Sequence, residues 1–386
     1  MQKNSSVCGK TNIAELTLPP MNQLVKNKEA TGAFSSAANV APASKAVAVW
    51  LMIGVGMIVM QVLLGGITRL TESGLSITEW KPITGTLPPL NDLAWQAEFD
   101  KYKGTDQFKY VHQDFSLSQF KSIFFWEWLH RVWARMLGVV FLLGFVYLLI
   151  RRKLKKDMII PMVILFLLGA VQGTIGWLMV KSGLVPQKYF VGHIELTTHF
   201  IAAMLLLAYT LWFALSYLIL PGQKIINPPL RKLLIAIGVV LFFQLIYGAF
   251  MAGLRAAVIA PTWPDINGEM LPAAMSELSP LIKNLAYNPI TIHFIHRGLA
   301  YLLFGLIITW WWKARLVKTG QVFYKFRFYF MLLVSLQVLL GIVTVSNATH
   351  PGRLVWLGVM HQFTAMLLVM ALVGLLHVVR GKAFRN

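Results

Sequence analysis

Cysteine and acidic residues are scarce in this 386-residue chain, and each scarcity excludes a class of site or protein. The one cysteine, Cys8, lies in a polar N-terminal tail, so an intrachain disulfide and a cysteine-ligated zinc or iron–sulfur site are excluded. Any metal or cofactor must therefore have other ligands. Only 13% of the residues are charged, against roughly 25% in soluble domains, and 57% are hydrophobic. This composition is typical of a membrane protein.

The net charge of +20 arises from 35 basic and 15 acidic residues. A nucleic-acid binder needs such charge on a solvated fold, which so apolar a chain cannot provide. Nucleic acid is therefore excluded as a partner, and membrane lipid is expected. The distribution of the basic residues among the connections should instead indicate the membrane topology, because Lys and Arg concentrate on the cytoplasmic side of membrane proteins.

Eight apolar stretches have about the 20-residue length that a spanning helix requires. The odd-numbered stretches are uncharged, and the even-numbered ones carry polar residues chiefly towards their N-terminal ends. They cover residues 46–67, 124–150, 158–180, 193–220, 233–254, 290–312, 328–346 and 354–379. The sequence therefore predicts an all-α integral membrane protein with eight transmembrane helices.

The two sets of connections differ in charge. The set that includes both termini carries 21 basic and 3 acidic residues, whereas the opposite set carries 11 and 10. Both termini are therefore predicted to be cytoplasmic. The tail contains no arginine and two acidic residues, unlike a mitochondrial transit peptide, and the first apolar stretch is too long for a secretory signal. We expect a disordered cytoplasmic tail and a multi-pass protein of the bacterial inner membrane.

The chain contains an internal duplication, because polar markers recur at nearly constant separations. The matched markers are Gln61, Gly65 and Trp80 with Gln244, Gly248 and Trp263; Gln172 and Gly176 with Gln337 and Gly341; His130 and Arg131 with His296 and Arg297; and His199 with His361. An even number of spans per copy gives both copies one orientation, with a pseudo-twofold axis along the membrane normal. We expect two tandem four-helix bundles. The predicted segments are the tail 1–45, the first bundle 46–220, a cytoplasmic linker 221–232, the second bundle 233–379 and a C-terminal tail 380–386.

A Gln-x-x-x-Gly pattern marks every odd-numbered span. Glycine lets two helices approach closely, and the amide can form a hydrogen bond across a bundle. Helix packing is the favoured interpretation, and a direct ligand role is the alternative.

Four histidines, His130, His199, His296 and His361, lie in the even-numbered spans within two to three turns of the outer face. Each bundle contributes two, and imidazoles that face each other across a bundle can occupy both axial positions of a haem iron. A buried hydrogen-bonded histidine, a proton relay, and a zinc or copper site are the alternatives. Two histidines per bundle without cysteine or clustered carboxylates favour a haem, with the pockets towards the periplasmic side.

Three charged residues lie beside these histidines. Arg131 and Arg297 can reach the outer rim, where they would bind either haem propionates or lipid phosphate. Glu127 stands one turn from His130, whereas the matching residue of the second copy is His293. A carboxylate beside one pocket favours a general base or a stabiliser of positive charge, and the alternative is an acid that complements a helix dipole.

The remaining polar residues near the spans are expected at the surface or the membrane rim. They are His112, His193, His350, His377 and Glu195.

Several motifs together resemble the haem A synthase family, in its alphaproteobacterial and mitochondrial form. They are EWLHR at 127–131, GGITRLTESGLS at 65–76, EWKP at 79–82 and the pair His361-Gln362. The resemblance covers residues 46–379, and the first two motifs are highly specific. The Bacillus-like branch carries a cysteine pair in the first outer connection, and residues 68–123 contain none. A thiol relay at that place is excluded.

The resemblance implies an oxidoreductase that converts the C8 methyl group of haem O into the formyl group of haem A, through successive hydroxylations, for terminal oxidase assembly. It implies that His130 and His199 hold the substrate haem O and that Glu127 is catalytic. His296 and His361 would ligate the iron of a haem b cofactor. A haem O synthase is the expected donor, the sequence does not identify the electron acceptor, and it leaves a homo-oligomer open.

Two other functions compete with this enzyme. A diheme b-type electron-transfer protein would use the same histidines, but its two copies would not need to differ at Glu127 and His293. A transporter with histidine proton relays is expected to have broken spans and, usually, inverted repeats.

Overall fold

Eight long helices are apolar enough to cross a membrane, which confirms the predicted all-α membrane fold. The computed structural model describes residues 42–80, 84–318 and 320–381, so most of the predicted tail 1–45, Lys81-Pro82 and residues 382–386 lie outside it. The spanning helices are α1 (Pro42–Leu70), α4 (Leu117–Ile150), α5 (Lys156–Gly183), α6 (His193–Leu218), α7 (Pro228–Gly253), α10 (Pro289–Ala314), α11 (Gln321–Ser346) and α12 (Pro351–Val378).

Most spanning helices exceed the predicted apolar stretches, and in some of them a capped polar turn accounts for the extension. Ser116 forms a capping box with Gln119, so α4 starts seven residues before the predicted stretch. Asn227 caps α7, which Pro228 opens in the first helical position. Residues 228–232 of the predicted linker are therefore helical.

The shorter elements lie at the two ends of the long helices. At the end that the charge distribution predicts to be the outer one are α2 (Asp92–Lys103), α3 (Asp106–Val111), α8 (Ala256–Ile259) and α9 (Asn284–Tyr287). At the opposite end, β1 (Ile225–Ile226) pairs in parallel with β2 (Val379–Arg380). Arg380, predicted as the start of a tail, therefore belongs to a strand.

The spanning helices pack largely within their own copy. In the first copy α1 packs against α4 and α6, and α5 packs against α6. In the second copy α7 packs against α10, α10 against α11, and α11 against α12. The last helices of the copies, α6 and α12, pack against each other, and each also contacts the first helix of the other copy. A buried apolar core follows this junction and includes Leu207, Leu234, Ile237, Met366 and Leu375.

At the outer end, the copies contact each other through residues at equivalent positions. The Arg69 guanidinium donates to the carbonyl oxygens of Ala252 and Gly253 over 2.8 and 3.0 Å. Arg255 forms an ion pair with Glu72, with 2.5 Å between Nη2 and Oε1. Gln61 and its counterpart Gln244 are 183 residues apart. At the same separation, Ala252 is the counterpart of Arg69 and Arg255 is the counterpart of Glu72. Contact between equivalent positions places these residues on the pseudo-twofold axis.

A second apolar cluster fixes the first outer connection over α4. Phe99 and Tyr102 of α2 stack on Phe120 with ring centroids 5.0 and 5.3 Å apart. Trp95 meets Phe124 edge to face at 5.0 Å. This packing holds the connection against the outer turns of α4, on the side of Glu127.

Candidate functional site

Each of the four predicted histidines contacts one Gln-x-x-x-Gly element on a neighbouring helix. Each glutamine amide lies within hydrogen-bond distance of its histidine, between 3.0 and 3.4 Å. The pairs are Gln61 with His130, Gln172 with His199, Gln244 with His296 and Gln337 with His361. The elements therefore pack helices as predicted, and they do so against the histidines.

The glycines of these elements lie directly against the imidazole rings. A Cβ atom at Gly65, Gly176, Gly248 or Gly341 would stand only 2.8–3.3 Å from its histidine ring. Any larger residue would push the ring into the interior of the bundle. The close approach explains why glycine occupies these four positions.

The donor set fits a haem better than a metal ion held by protein alone. No cluster of three or more metal-ligating side chains occurs among the described residues, whereas each copy carries two of these histidines, one on its second and one on its fourth spanning helix. The Oε1 atoms of Gln61, Gln172, Gln244 and Gln337 are all buried without a hydrogen-bond partner. Amide O and N atoms are interchangeable in placement, so Oε1 of Gln244 or Gln337 can accept the ring N–H of its histidine and leave the other ring nitrogen for iron. Gln61 and Gln172 instead donate to the backbone carbonyl oxygens of His130 and His199.

Glu127 is buried and accepts hydrogen bonds from three donors. The Ser76 hydroxyl and the Ile77 backbone N–H donate to Oε2 over 2.7 and 2.8 Å, and Arg131 donates to Oε1 over 2.6 Å. The side chain is only about 3% exposed. Three donors, one of them cationic, therefore converge on this carboxylate. The sequence predicted neither Ser76 nor Ile77 as a partner, although both lie in or next to the GGITRLTESGLS motif.

The helix-dipole interpretation of Glu127 is wrong. Because α4 begins at Leu117, Glu127 lies beyond the second turn, and the dipole acts only within the first turn. Its counterpart, His293, is buried near the start of α10 and accepts a hydrogen bond from Arg297 Nε over 3.0 Å. The copies therefore differ in chemistry at matched positions.

Arg131 and Arg297 both bind backbone carbonyl groups of the outer connections. Arg131 donates to the carbonyl oxygens of Ile77 and Glu79 over 3.0 and 3.2 Å. Arg297 donates to those of Thr262 and Asp265. Thr262 is the counterpart of Glu79 in the second copy, so each arginine ties an equivalent connection to its bundle.

A polar network joins the first outer connection to the pseudo-twofold axis. The Tyr102 hydroxyl lies 2.6 Å from His112 Nδ1, and His112 Nε2 lies 3.3 Å from Glu72, which pairs with Arg255. The hydrogen bond from His112, together with the Arg255 charge, lowers the pKa of Glu72, although burial opposes the shift. Burial and the negative charges of Glu127 and Glu72 raise the pKa of Tyr102.

We expect Glu72→Gln to lower the melting temperature of the purified protein by several degrees at pH 7, because hydrogen bonds to a charged group contribute about 1.5–3 kcal/mol. A carboxylate whose folded pKa is depressed stabilises the fold fully above its unfolded value, 4.5, and loses that contribution as the pH falls through the folded pKa. The difference between parent and variant should therefore shrink below about pH 4.5. Differential scanning fluorimetry across pH measures it.

Asp92→Asn is the matched control, because the Asp92 side chain is 96% exposed in its pair with Lys121. Its effect should be close to zero at every pH. Equal losses in the two variants would show that the Glu72 network does not stabilise the connection.

Two of the histidines predicted at the surface are buried. His112 is 7% exposed because Tyr102 and Phe115 cover it, and His377 is 1% exposed with its ring edge to face with Trp212. His193 begins α6, is half-buried and bonds to the carbonyl of Ala286 over 2.8 Å. His350 is exposed at the start of α12. None of these four contacts a Gln-x-x-x-Gly element.

Comparison with known proteins places this arrangement in a family. Residues 48–373 match the model of the COX15-CtaA family, described as cytochrome oxidase assembly protein. A protein named heme A synthase from Rhodospirillum centenum is 40% identical over 347 residues, which cover 88% of this chain and 90% of the relative.

Two further relatives carry the same name. The protein from Flavobacterium johnsoniae is 39% identical and covers 86% of this chain and 98% of its own length. The protein from Rhodopseudomonas palustris strain BisB18 is 44% identical and covers 72% of this chain and 77% of its own length. With a family model over most of its length and such relatives, the chain belongs to the COX15-CtaA family of cytochrome oxidase assembly proteins.

Proposed function

We propose that the chain is a haem A synthase of the bacterial inner membrane, with its haem sites towards the periplasm. It oxidises the C8 methyl group of haem O to the formyl group of haem A for terminal oxidase assembly. Family membership, relatives named heme A synthase and eight apolar helices support the proposal. The four Gln, Gly and His sets supply binding positions for two haems.

The difference between Glu127 and His293 supports a division of labour between the copies. We assign His130 and His199 to the substrate haem O, and His296 and His361 to a haem b cofactor. A bound haem b supplies a one-electron redox centre. The first copy places a carboxylate one turn from its α4 histidine, where the second copy has the imidazole of His293. Among the described residues at this pair of matched positions, Glu127 is the anionic group that can stabilise positive charge on a bound substrate or accept a proton from it.

The contacts of Glu127 fix the orientation of its carboxylate. Arg131 Nη2 lies near both Glu127 Oε1 and the Ile77 carbonyl, and Nη1 binds the Glu79 carbonyl. When Oε1 takes a proton, the arginine keeps its two carbonyl partners and stays in place. Oε2 meanwhile remains fixed by Ser76 and Ile77, so the carboxylate does not rotate away.

Haem propionates remain the proposed ligands of Arg131 and Arg297 at the outer rim. Both guanidinium groups already bind backbone carbonyls, so a propionate would share them. Such sharing would couple haem binding to closure of the outer connection over each site.

Extraction and chromatography of copurified haems test the proposal. The full chain is expressed together with a haem O synthase, the proposed donor, and the haems are counted per chain. We expect haem B together with haem O and some haem A. Two haem B per chain with no haem O would instead indicate a diheme electron-transfer protein, and the absence of any haem would contradict both.

A further inference from the structure

The seam between the second and third spanning helices differs sharply between the copies. In the second copy, α10 and α11 pack against each other. In the first copy, α4 and α5, both wholly described, do not form a packed pair and meet at the rings of Phe141 and Phe166, 6.2 Å apart. The first bundle is therefore open towards the bilayer along this seam.

Side-chain volume explains the opening. Gly138 lies about one turn from Phe141 on α4, and Gly169 and Gly173 lie about one and two turns from Phe166 on α5, so helical periodicity places all three on the side of the seam. A Cβ atom at any of these glycines would meet no atom within 4 Å. Their counterparts in the second copy, at the separations of the histidine and glutamine markers, are Phe304, Val334 and Val338.

These larger side chains fill the corresponding space in the second copy. Val334 is 2% exposed, and Phe304 packs against the apolar core. In the first copy Phe166 is 56% exposed, whereas its counterpart Met331 packs into the core. The seam is thus closed in one copy and open in the other.

The open seam leads to the two histidines assigned to the substrate. Gly176 contacts the His199 ring, and Gly173 lies less than one turn before Gly176 on α5. Gly138 follows His130 by about 12 Å along α4, in the direction away from the outer face. The seam therefore runs from the histidine layer into the apolar interior of the membrane.

Haem O differs from haem B by a farnesyl tail on the macrocycle edge opposite the propionates. With the propionates at the outer rim, the tail projects away from that rim, which is the direction of the seam. An apolar tail gains free energy from burial against an apolar groove and needs no polar partner.

We propose that the seam between α4 and α5 admits the farnesyl tail of the substrate haem from the bilayer and holds it during the reaction. This inference rests on the proposed function and on the assignment of the first copy to haem O. It explains why only the first copy is open, since a haem b cofactor has no such tail.

Closing the seam with the residues of the second copy tests the proposal. In Gly138→Phe/Gly169→Val, the new side chains enter open space, so the fold should be retained. The full-length variant is purified from cells that also express a haem O synthase, and its haems are extracted. We expect haem O per chain to fall at least tenfold, with haem B per chain not reduced. Spectral titration of the purified variant should show weaker binding of haem O but unchanged binding of haem B.

Gly305→Phe is the matched control, because Gly305 lies on α10 next to Phe304 and also faces open space. It should leave the haem O content unchanged. Haem O retained by the closed-seam variant would overturn the proposal, and so would equal loss of haem O and haem B in the titration, since that outcome means the macrocycle itself is blocked. A parent protein without haem O would instead overturn the proposed function.

Discussion

Glu127→Gln is expected to reduce haem A formation at least 100-fold while protein yield and the b-type spectrum are retained. A general base typically contributes about 100- to 10,000-fold, and glutamine keeps the size of the side chain but neither its charge nor its basicity. The amide can still accept the Ser76 and Ile77 hydrogen bonds, so the outer connection should stay in place. Chromatography of extracted haems measures haem O against haem A.

Glu195→Gln is the control for a carboxylate at the outer end of a spanning helix. Glu195 lies in the first turn of α6, where an acid complements the helix dipole. Its replacement by glutamine should change the stability only slightly and leave haem A formation unchanged. Haem A formation at the parental level in Glu127→Gln would remove this residue from the mechanism. A joint loss of haem A and the b-type spectrum would assign it a structural role.

His296→Ala and His361→Ala are each expected to remove most of the b-type absorption. Each variant removes one of two axial ligands, and alanine leaves a cavity between the helices that the matching glutamine cannot fill. Haem O should still copurify with these variants, because its assigned ligands lie in the other copy. Reduced-minus-oxidised spectra of purified protein and extraction of haems provide the two measurements.

His377→Ala controls for the removal of a buried imidazole from α12, the helix that carries His361. His377 is 1% exposed and lies near the opposite end of that helix, against Trp212. Its replacement should lower stability and leave the spectrum per folded chain unchanged. A full b-type spectrum in both His296→Ala and His361→Ala would contradict the ligand assignment.

Sequence periodicity and repeated markers predicted the helices and the histidine sets because both are local patterns. Eight apolar stretches defined eight helices, and constant separations paired Gln61 with Gln244 and His130 with His296. The helix ends were less predictable, since capped polar turns such as that at Ser116 extend helices beyond their apolar stretch.

Residues whose environment depends on tertiary contacts were predicted less well. Composition places His112 in a polar connection, but Tyr102 and Phe115 bury it. Two of the three donors to Glu127, Ser76 and Ile77, come from a segment about 50 residues away, so no spacing rule could assign them. The open seam was also hidden, because a glycine in a spanning helix signals close packing as readily as open space.

The ion pair on the pseudo-twofold axis bears on how such a protein can arise. A homodimer of a single four-helix unit would have an isologous interface, in which each residue on the axis faces an identical residue. At position 72 of such a dimer, a glutamate would face the glutamate of the other subunit, or an arginine would face an arginine. The two like charges would repel each other.

Glu72 and Arg255 attract each other because the two matched positions differ, as a single polypeptide that contains both copies allows. The same freedom lets Arg69 donate to the carbonyl of Ala252 without competition from a second guanidinium. Covalent fusion thus replaced a symmetric contact by a complementary one, and it fixed the partner of each half without any need for subunit recognition.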